Sequence, residues 1–220
     1  MPRALEGAPR CAECVRKSPG FERLLVLADY RRQPAIREWI LAFKHGGRRD
    51  LALPLGTALA RCAGPELRAR GERVVLVPVP LHLARRIERG YDQAALLADE
   101  VGAATGIRVV RALRRQRPTA VQGEVGAVSR RANVRGAFAP RARWVTGMSR
   151  VRWAEFDRVW LVDDVVTSGA TLRECARVLR RKGARRVSAL AIARAARDPG
   201  EEEGQEWRGE GGGTEERGKE

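Results

Sequence analysis

Val159 to Thr171 reads VWLVDDVVTSGAT. Four apolar residues lead into two adjacent carboxylates, Asp163 and Asp164. A run of small and hydroxyl residues then leads into a second apolar-periodic stretch. That order spells a buried strand, a ligand loop and a helix. In open α/β sheets, ligands bind beyond the carboxyl ends of the strands. Backbone N–H groups of such a loop, with the start of the helix, make an anion cradle. Thr167, Ser168 and Thr171 add hydroxyl donors, and Gly169 has no Cβ to hold a ligand away. The segment Thr167, Ser168, Gly169, Ala170 and Thr171 therefore suits a phosphate. Ionised Asp accepts hydrogen bonds and donates none, so Asp163 and Asp164 suit neighbouring hydroxyls. A phosphate beside a pair of cis hydroxyls describes a ribose 5-phosphate. The plainer reading is that the two carboxylates only cap and turn the chain. Like charges side by side are costly without a task, which weighs against it.

The elements that must position this run alternate along the chain. Leu24–Tyr30 reads as a strand. Pro34–Lys44 reads as a helix with Ile36, Ile40 and Phe43 on one face and Pro34 in its first turn. Asp50 is expected to cap a second helix carrying Leu51, Leu55, Leu59 and Cys62. Arg73–Pro78 is a β-branched strand, Asp92–Thr105 a helix closed by Gly106, and Ile107–Val110 a short strand. Val159–Val162 is a buried strand, Gly169–Arg181 a helix closed by Gly183, and Val187–Ile192 a final strand. This alternation predicts an α/β domain, a mostly parallel central sheet flanked by helices. Residues 111–148 show little periodicity and much Arg, Gly and Ser, the mark of a functional or mobile loop. Three segments are expected: 1–23, a domain over 24–198, and a disordered acidic, Gly-rich tail over 199–220.

The 220 residues carry a net charge of +16, from 39 arginines and only four lysines against 27 acidic residues. The tail holds eight acidic and three basic residues, which leaves +21 on the residues before it. That charge fits an anionic partner, a phosphorylated small molecule or nucleic acid. It fits equally a GC-rich genome that favours Arg codons. No apolar run is long enough to span a bilayer, and residues 1–10 hold no apolar signal core. Four cysteines are too few for a disulfide scaffold at this length. A cytoplasmic protein without membrane insertion is expected. Cys62 and Cys175, on apolar helix faces, read as small core residues. Trp39, Trp153 and Trp160 read as packing residues and not as a stacking surface for bases. His45 reads as a helix-terminal residue.

VWLVDDVVTSGAT resembles the phosphoribosyl pyrophosphate (PRPP) motif of type I phosphoribosyltransferases. Further segments are similar to the ComF family of bacterial competence proteins: VPVPLHLARRIERGYDQ at Val77–Gln93, then Thr119-Ala-Val-Gln122, Arg130-Arg-Ala-Asn133 and Gly136-Ala-Phe138. Their order and spacing carry the likeness, over about residues 24–195. The resemblance implies the type I phosphoribosyltransferase fold, with Asp163 and Asp164 on the ribose 2′- and 3′-hydroxyls and Thr167–Thr171 on the 5′-phosphate. It implies PRPP with Mg²⁺ bridging its phosphates, phosphoribosyl transfer to an acceptor, and release of pyrophosphate. His82, Arg85, Arg86 and Arg89 would meet the pyrophosphate, since Arg makes bidentate contacts. A solvated basic helix face is the alternative for them. Residues 111–135, with Thr119, Gln122, Arg130 and Asn133, would form a mobile basic loop that closes over the ligand and excludes water.

The same resemblance implies a role in natural transformation. Either catalysis or a non-catalytic role, binding single-stranded DNA or sensing PRPP, agrees with it. A homo-oligomer is among the expected partners. Cys11 and Cys14 form a CxxC pair, half of the four-ligand set of a structural zinc site, and relatives often carry a four-cysteine N-terminal module. Here only one pair stands, a truncated or decayed remnant of that module, so zinc at Cys11 and Cys14 stays open as a second cofactor. Tyr91 and Asp92 depart from the family's usual Phe and Asn. Asp92 brings a negative charge near the expected pyrophosphate, or caps the helix that follows.

Overall fold

Strand β5 (Arg158–Val166) is the axis of the fold. The computed structural model describes residues 20–68, 71–117, 134–141 and 151–195. Ahead of β5 come β1 (Leu24–Asp29), α1 (Pro34–His45), α2 (Ala52–Leu67), β2 (Val74–Pro78), α3 (Leu83–Arg89), α4 (Gln93–Thr105), β3 (Leu113–Arg115) and β4 (Phe138–Pro140). After it come α5 (Ala170–Arg181) and β6 (Val187–Arg194). The main sheet has the order β1-β6-β5-β2, and every pairing in it is parallel. β3 and β4 form a separate antiparallel ribbon, with Arg115 opposite Phe138.

The sheet is covered on both faces, which is why its strands read as near-continuous apolar runs. Side chains alternate across a strand. Leu76, Trp160, Val162, Leu190 and Ile192 share a core with residues of α1, α2 and α4. Val75, Val77, Leu161, Ala189 and Ala191 share the other with residues of α5 and the ribbon. Helices α2 and α4 cross closely at Gly56, where a Cβ would collide with the Cβ of Glu100. Ala is the better helix former by about 1 kcal/mol, but overpacking costs about 1–3 kcal/mol. Gly56→Ala is therefore expected to lower stability by about 1 kcal/mol net in urea denaturation, and a gain in stability would refute the close crossing.

Charge ties the opposite end of the sheet. Glu22 stands just before β1, Glu72 before β2 and Arg186 before β6, while Arg158 opens β5. Arg158 Nε lies 3.1 Å from Glu72 and its Nη1 3.8 Å from Glu22. Arg186 meets Glu22 at 3.0 Å and Glu72 at 2.8 Å. One alternating network thus joins the starts of all four strands.

Several expectations change in the structure. The strand expected to end at Val162 runs on to Val166, because Asp163, Val165 and Val166 still pair with β6. Ile107–Val110 contributes one bridge, Val109 beside Leu76, at the outer edge of β2. The supposed loop start at 111 instead enters the β3–β4 ribbon. Asp50 does not cap α2: it lies inside a 3₁₀ turn that feeds the helix, and it pairs with Arg48 at 2.6 Å. Trp39 is 46% exposed at the solvent edge of α1, whereas Trp153 and Trp160 are buried as expected. Cys175 is buried and Cys62 half-buried. Cys11, Cys14, Thr119, Gln122, Arg130, Asn133 and the tail 199–220 lie outside the described residues.

Candidate functional site at the carboxyl end of β5

Asp163 and Asp164 are consecutive residues of a strand, so they leave it toward opposite faces. Asp164 turns toward the α1 layer, where its Oδ1 lies 3.2 Å from Lys44 Nζ. The same oxygen accepts the Val165 N–H at 2.6 Å. Asp163 is half-buried on the α5 side, where Arg115 and Cys175 feel its charge. Its Oδ1 accepts the Asp164 N–H at 2.9 Å. Among the described residues it forms no salt bridge. Burial pushes its carboxyl up to about 8, the Asp164 charge adds to this, and Lys44 opposes it.

The chain then turns through Thr167, Ser168 and Gly169 into α5. Ser168 is exposed, Thr167 and Thr171 half-buried, and Gly169 buried. Gly169 sits at φ +69, and a Cβ there would meet nothing closer than Arg173 at 3.5 Å. Glycine is needed here for the left-handed backbone and not for crowding. The Arg173 N–H donates to Gly169 O at 3.0 Å, the first bond of α5. The N–H groups of Ala170, Thr171 and Leu172, like those of any first helical turn, have no intrahelical acceptor. Thr167 through Thr171 thus come together as expected, beside the two carboxylates.

The basic side is sorted by α3. His82 is its N-cap, and its Nδ1 accepts the Ala84 N–H at 3.3 Å. Arg85 and Arg89, one turn apart on the helix, are half-buried. Both press on His45, whose pKa is lowered by burial first, then by Arg89, Lys44 and Arg85. Arg86 is exposed, as are Leu83 and Ile87. The structure therefore sets Arg86 apart from the other two.

The turn after α3 has an assignment that the sequence left open. Asp92 caps α4 through the Ala95 N–H at 3.1 Å, and its other oxygen accepts the Leu81 N–H at 3.0 Å. Its charge is engaged in holding the 79–82 loop to α4. Tyr91 donates its hydroxyl to Phe43 O at 2.5 Å, and Gln93 Nε2 donates to Phe43 O and Lys44 O at 3.4 and 3.5 Å. Arg49 lies over the Tyr91 ring at 5.0 Å and donates to Gly90 O at 2.7 Å. This turn clamps the end of α1.

Two residues of the site escaped the sequence reading. Lys44 is far from Asp164 along the chain, and only the clamped α1 brings it near. Arg115, on β3, packs against the Phe138 ring at 5.5 Å. Burial lowers its pKa, and the Asp163 carboxylate partly offsets that, so the ribbon delivers a cation to the acidic pair. Leu-Arg-Arg at 113–115 carries no alternating pattern, so nothing local in the sequence singles Arg115 out.

Among the described residues, no group of three or more His, Cys, Asp or Glu is set to hold a metal ion. A concavity of 530 Å³, lined by Leu27, Leu53, Pro54, Thr57, Arg61 and Cys62 among others, shares no residue with this site. Among the described residues no helix is long and apolar enough to cross a membrane.

Comparison with known proteins agrees with this geometry. Residues 68–211 match the model of the phosphoribosyl transferase domain. Competence protein F of Haemophilus influenzae is 28% identical over 86% of this chain and 80% of its own length. DNA utilization protein YhgH of Escherichia coli O6:H1 is 31% identical over 84% of this chain and 77% of its own. A solved structure described as the allosteric regulatory enzyme of purine biosynthesis is 20% identical, with a TM-score of 0.40. The match takes in 69% of this chain but only 30% of that one. With its domain match, its relatives over most of its length and its α/β fold with a parallel central sheet, the chain belongs to the phosphoribosyl transferase domain family and, within it, to the ComF family.

Proposed function

We propose that this protein binds PRPP at the carboxyl end of β5 and transfers its phosphoribosyl group to an acceptor, releasing pyrophosphate, from a cytoplasmic location. One observation carries the reading: the acidic pair at the end of a central parallel strand runs directly into a hydroxyl-rich turn at the start of α5. Asp163 and Asp164 receive the ribose hydroxyls. The first-turn N–H groups of α5, with Thr167, Ser168 and Thr171, receive the 5′-phosphate. Arg85, Arg89 and Arg115 face the leaving pyrophosphate and stabilise the charge that develops on it. Mg²⁺ arriving on the ligand supplies further charge neutralisation. Asp163 lies where it can offset positive charge building at the ribose carbon. The reaction requires no nucleophile from the protein.

A second reading, single-stranded DNA binding in DNA uptake, is favoured by the names of the relatives, competence protein and DNA utilization protein. The net charge of +16 is consistent with it. Calorimetric titration with PRPP and Mg²⁺, run beside Asp163→Asn/Asp164→Asn, separates the two. Saturable binding that weakens at least about 100-fold in the double variant is expected, since two charge-assisted contacts are lost. Absence of binding by the folded wild type would overturn the PRPP reading. Salt-dependent binding of an oligonucleotide would then decide the second one.

A further inference from the structure

We propose that Lys44 is a positioning residue of the ribose site: it acts through Asp164, whose carboxylate it holds ready for a ribose hydroxyl, and the Gly90–Gln93 turn exists to set it there. The inference rests on the ribose reading of the acidic pair. Its observations are separate from those that carried that reading. Lys44 Nζ is 3.2 Å from Asp164 Oδ1, and both side chains are largely shielded, 23% and 13% exposed. Asp164 Oδ1 is already shared between Lys44 and the Val165 N–H. Two anchors therefore fix the carboxylate's rotation and turn Oδ2 toward incoming hydroxyls.

Lys44 is itself held. It lies in the last turn of α1, where cations are favoured by the helix dipole. The carbonyls of Phe43 and Lys44 accept from Tyr91 and Gln93, and Arg49 braces the Tyr91 ring. The Gly90–Gln93 turn spends its Tyr, Asp and Gln side chains on α1, on the 79–82 loop and on the cap of α4. A compact ammonium suits so narrow a site better than the broad guanidinium that serves almost everywhere else, and Lys44 is one of four lysines beside 39 arginines.

Positioning through Asp164 differs measurably from direct contact with ligand phosphate. The probes are ribose 5-phosphate, 2-deoxyribose 5-phosphate and inorganic phosphate, titrated into wild type, Lys44→Met and Lys44→Arg. Lys44→Met is expected to weaken ribose 5-phosphate about 10-fold, 2-deoxyribose 5-phosphate by less, since it keeps only one of the two hydroxyls, and inorganic phosphate less than about 2-fold. Lys44→Arg is expected to recover part of the loss. Equal weakening of all three probes would overturn the proposal, because Lys44 would then be touching phosphate. A wild type that binds no probe would sink the ribose reading itself. The Lys44–Asp164 coupling is read apart from any ligand. Lys44→Met is expected to lower Tm by about 3 °C in wild type and by under about 1 °C in an Asp164→Asn background. Equal drops in the two backgrounds would show that Lys44 does not act on Asp164.

Discussion

Asp163→Asn is expected to make the protein more stable at pH 8 while it cripples ligand binding. The carboxyl of Asp163 is raised to about 8, first by burial and then by the neighbouring Asp164 charge. An unfolded chain holds an Asp near its ordinary value, about 3.9. Between these limits the folded state binds the proton more tightly than the unfolded state. Stability is therefore full below pH 4 as far as this group is concerned, and is lost as pH rises through 8. A tenfold difference in proton affinity between the two states is worth about 1.4 kcal/mol. Asp163 keeps some solvent and shares its titration with Asp164, so about half of the full effect is expected, roughly 3 kcal/mol. Against a typical total of about 5–15 kcal/mol, that is large. Urea denaturation at pH 5 and pH 8 checks it. Wild type should lose about 2 kcal/mol across this narrower interval by this linkage, and Asp163→Asn should lose much less. The same variant should bind PRPP about 10–100-fold more weakly at about pH 9, where the wild-type carboxyl is ionised and acts as a charge-assisted acceptor. Equal pH dependence in the two proteins would mean that Asp163 titrates normally. A carboxylate kept where it destabilises the fold is the usual mark of a residue retained for function.

Arg158→Ala should be the most damaging loss of a charge away from the site. The Arg158 side chain is 5% exposed, reaches Glu72 and Glu22, and packs against the Trp160 ring at 5.9 Å. Removing it leaves two carboxylates sharing one remaining arginine and opens space beside the largest buried side chain. Breaking a buried ion pair costs about 3–5 kcal/mol. Both glutamates keep partial solvent contact and keep Arg186, so about 3 kcal/mol is expected. Arg186→Ala removes a partner of the same two glutamates, yet Arg186 is exposed and should cost only about 1 kcal/mol. The contrast is the test. Denaturation of both variants with and without about 0.5 M salt should show a salt-insensitive loss for Arg158→Ala and a smaller, screened loss for Arg186→Ala. Equal losses would mean that pair count, and not burial, governs this network.

The site was legible in the chain to the extent that its chemistry is local. Asp163 through Thr171 form one contiguous run, and a strand, a turn and a helix start are short-range structures with recognisable residue preferences. Their meaning needed no partner from elsewhere. Asp92 as a helix cap and Gly106 as a helix end were legible for the same reason, since both are satisfied within a few residues. Asp50 misled because a 3₁₀ turn moved the helix start past it, a small displacement that side-chain type does not encode. Trp39 misled because its size suggested burial, while it stands at the solvent edge of the face of α1 that buries Ile40 and Phe43.

What the amino-acid sequence by itself determined is thus the α/β alternation, the parallel sheet and the acidic pair with the hydroxyl-rich turn that follows it. The period of its apolar residues and the residue types of one continuous turn carry all of these. Tertiary structure alone decided what surrounds that turn. Strand parity sent two adjacent carboxylates to opposite faces, so that one met Lys44 and the other the ribbon bearing Arg115. Packing on α1 made the Gly90–Gln93 segment a clamp. It also left Arg85 and Arg89 toward His45, with Arg86 in solvent. The physical reason is range. Hydrogen-bonded turns and side-chain periods act over a few residues, whereas an ion pair between positions 44 and 164 exists only after the sheet and its helices have closed around a common core.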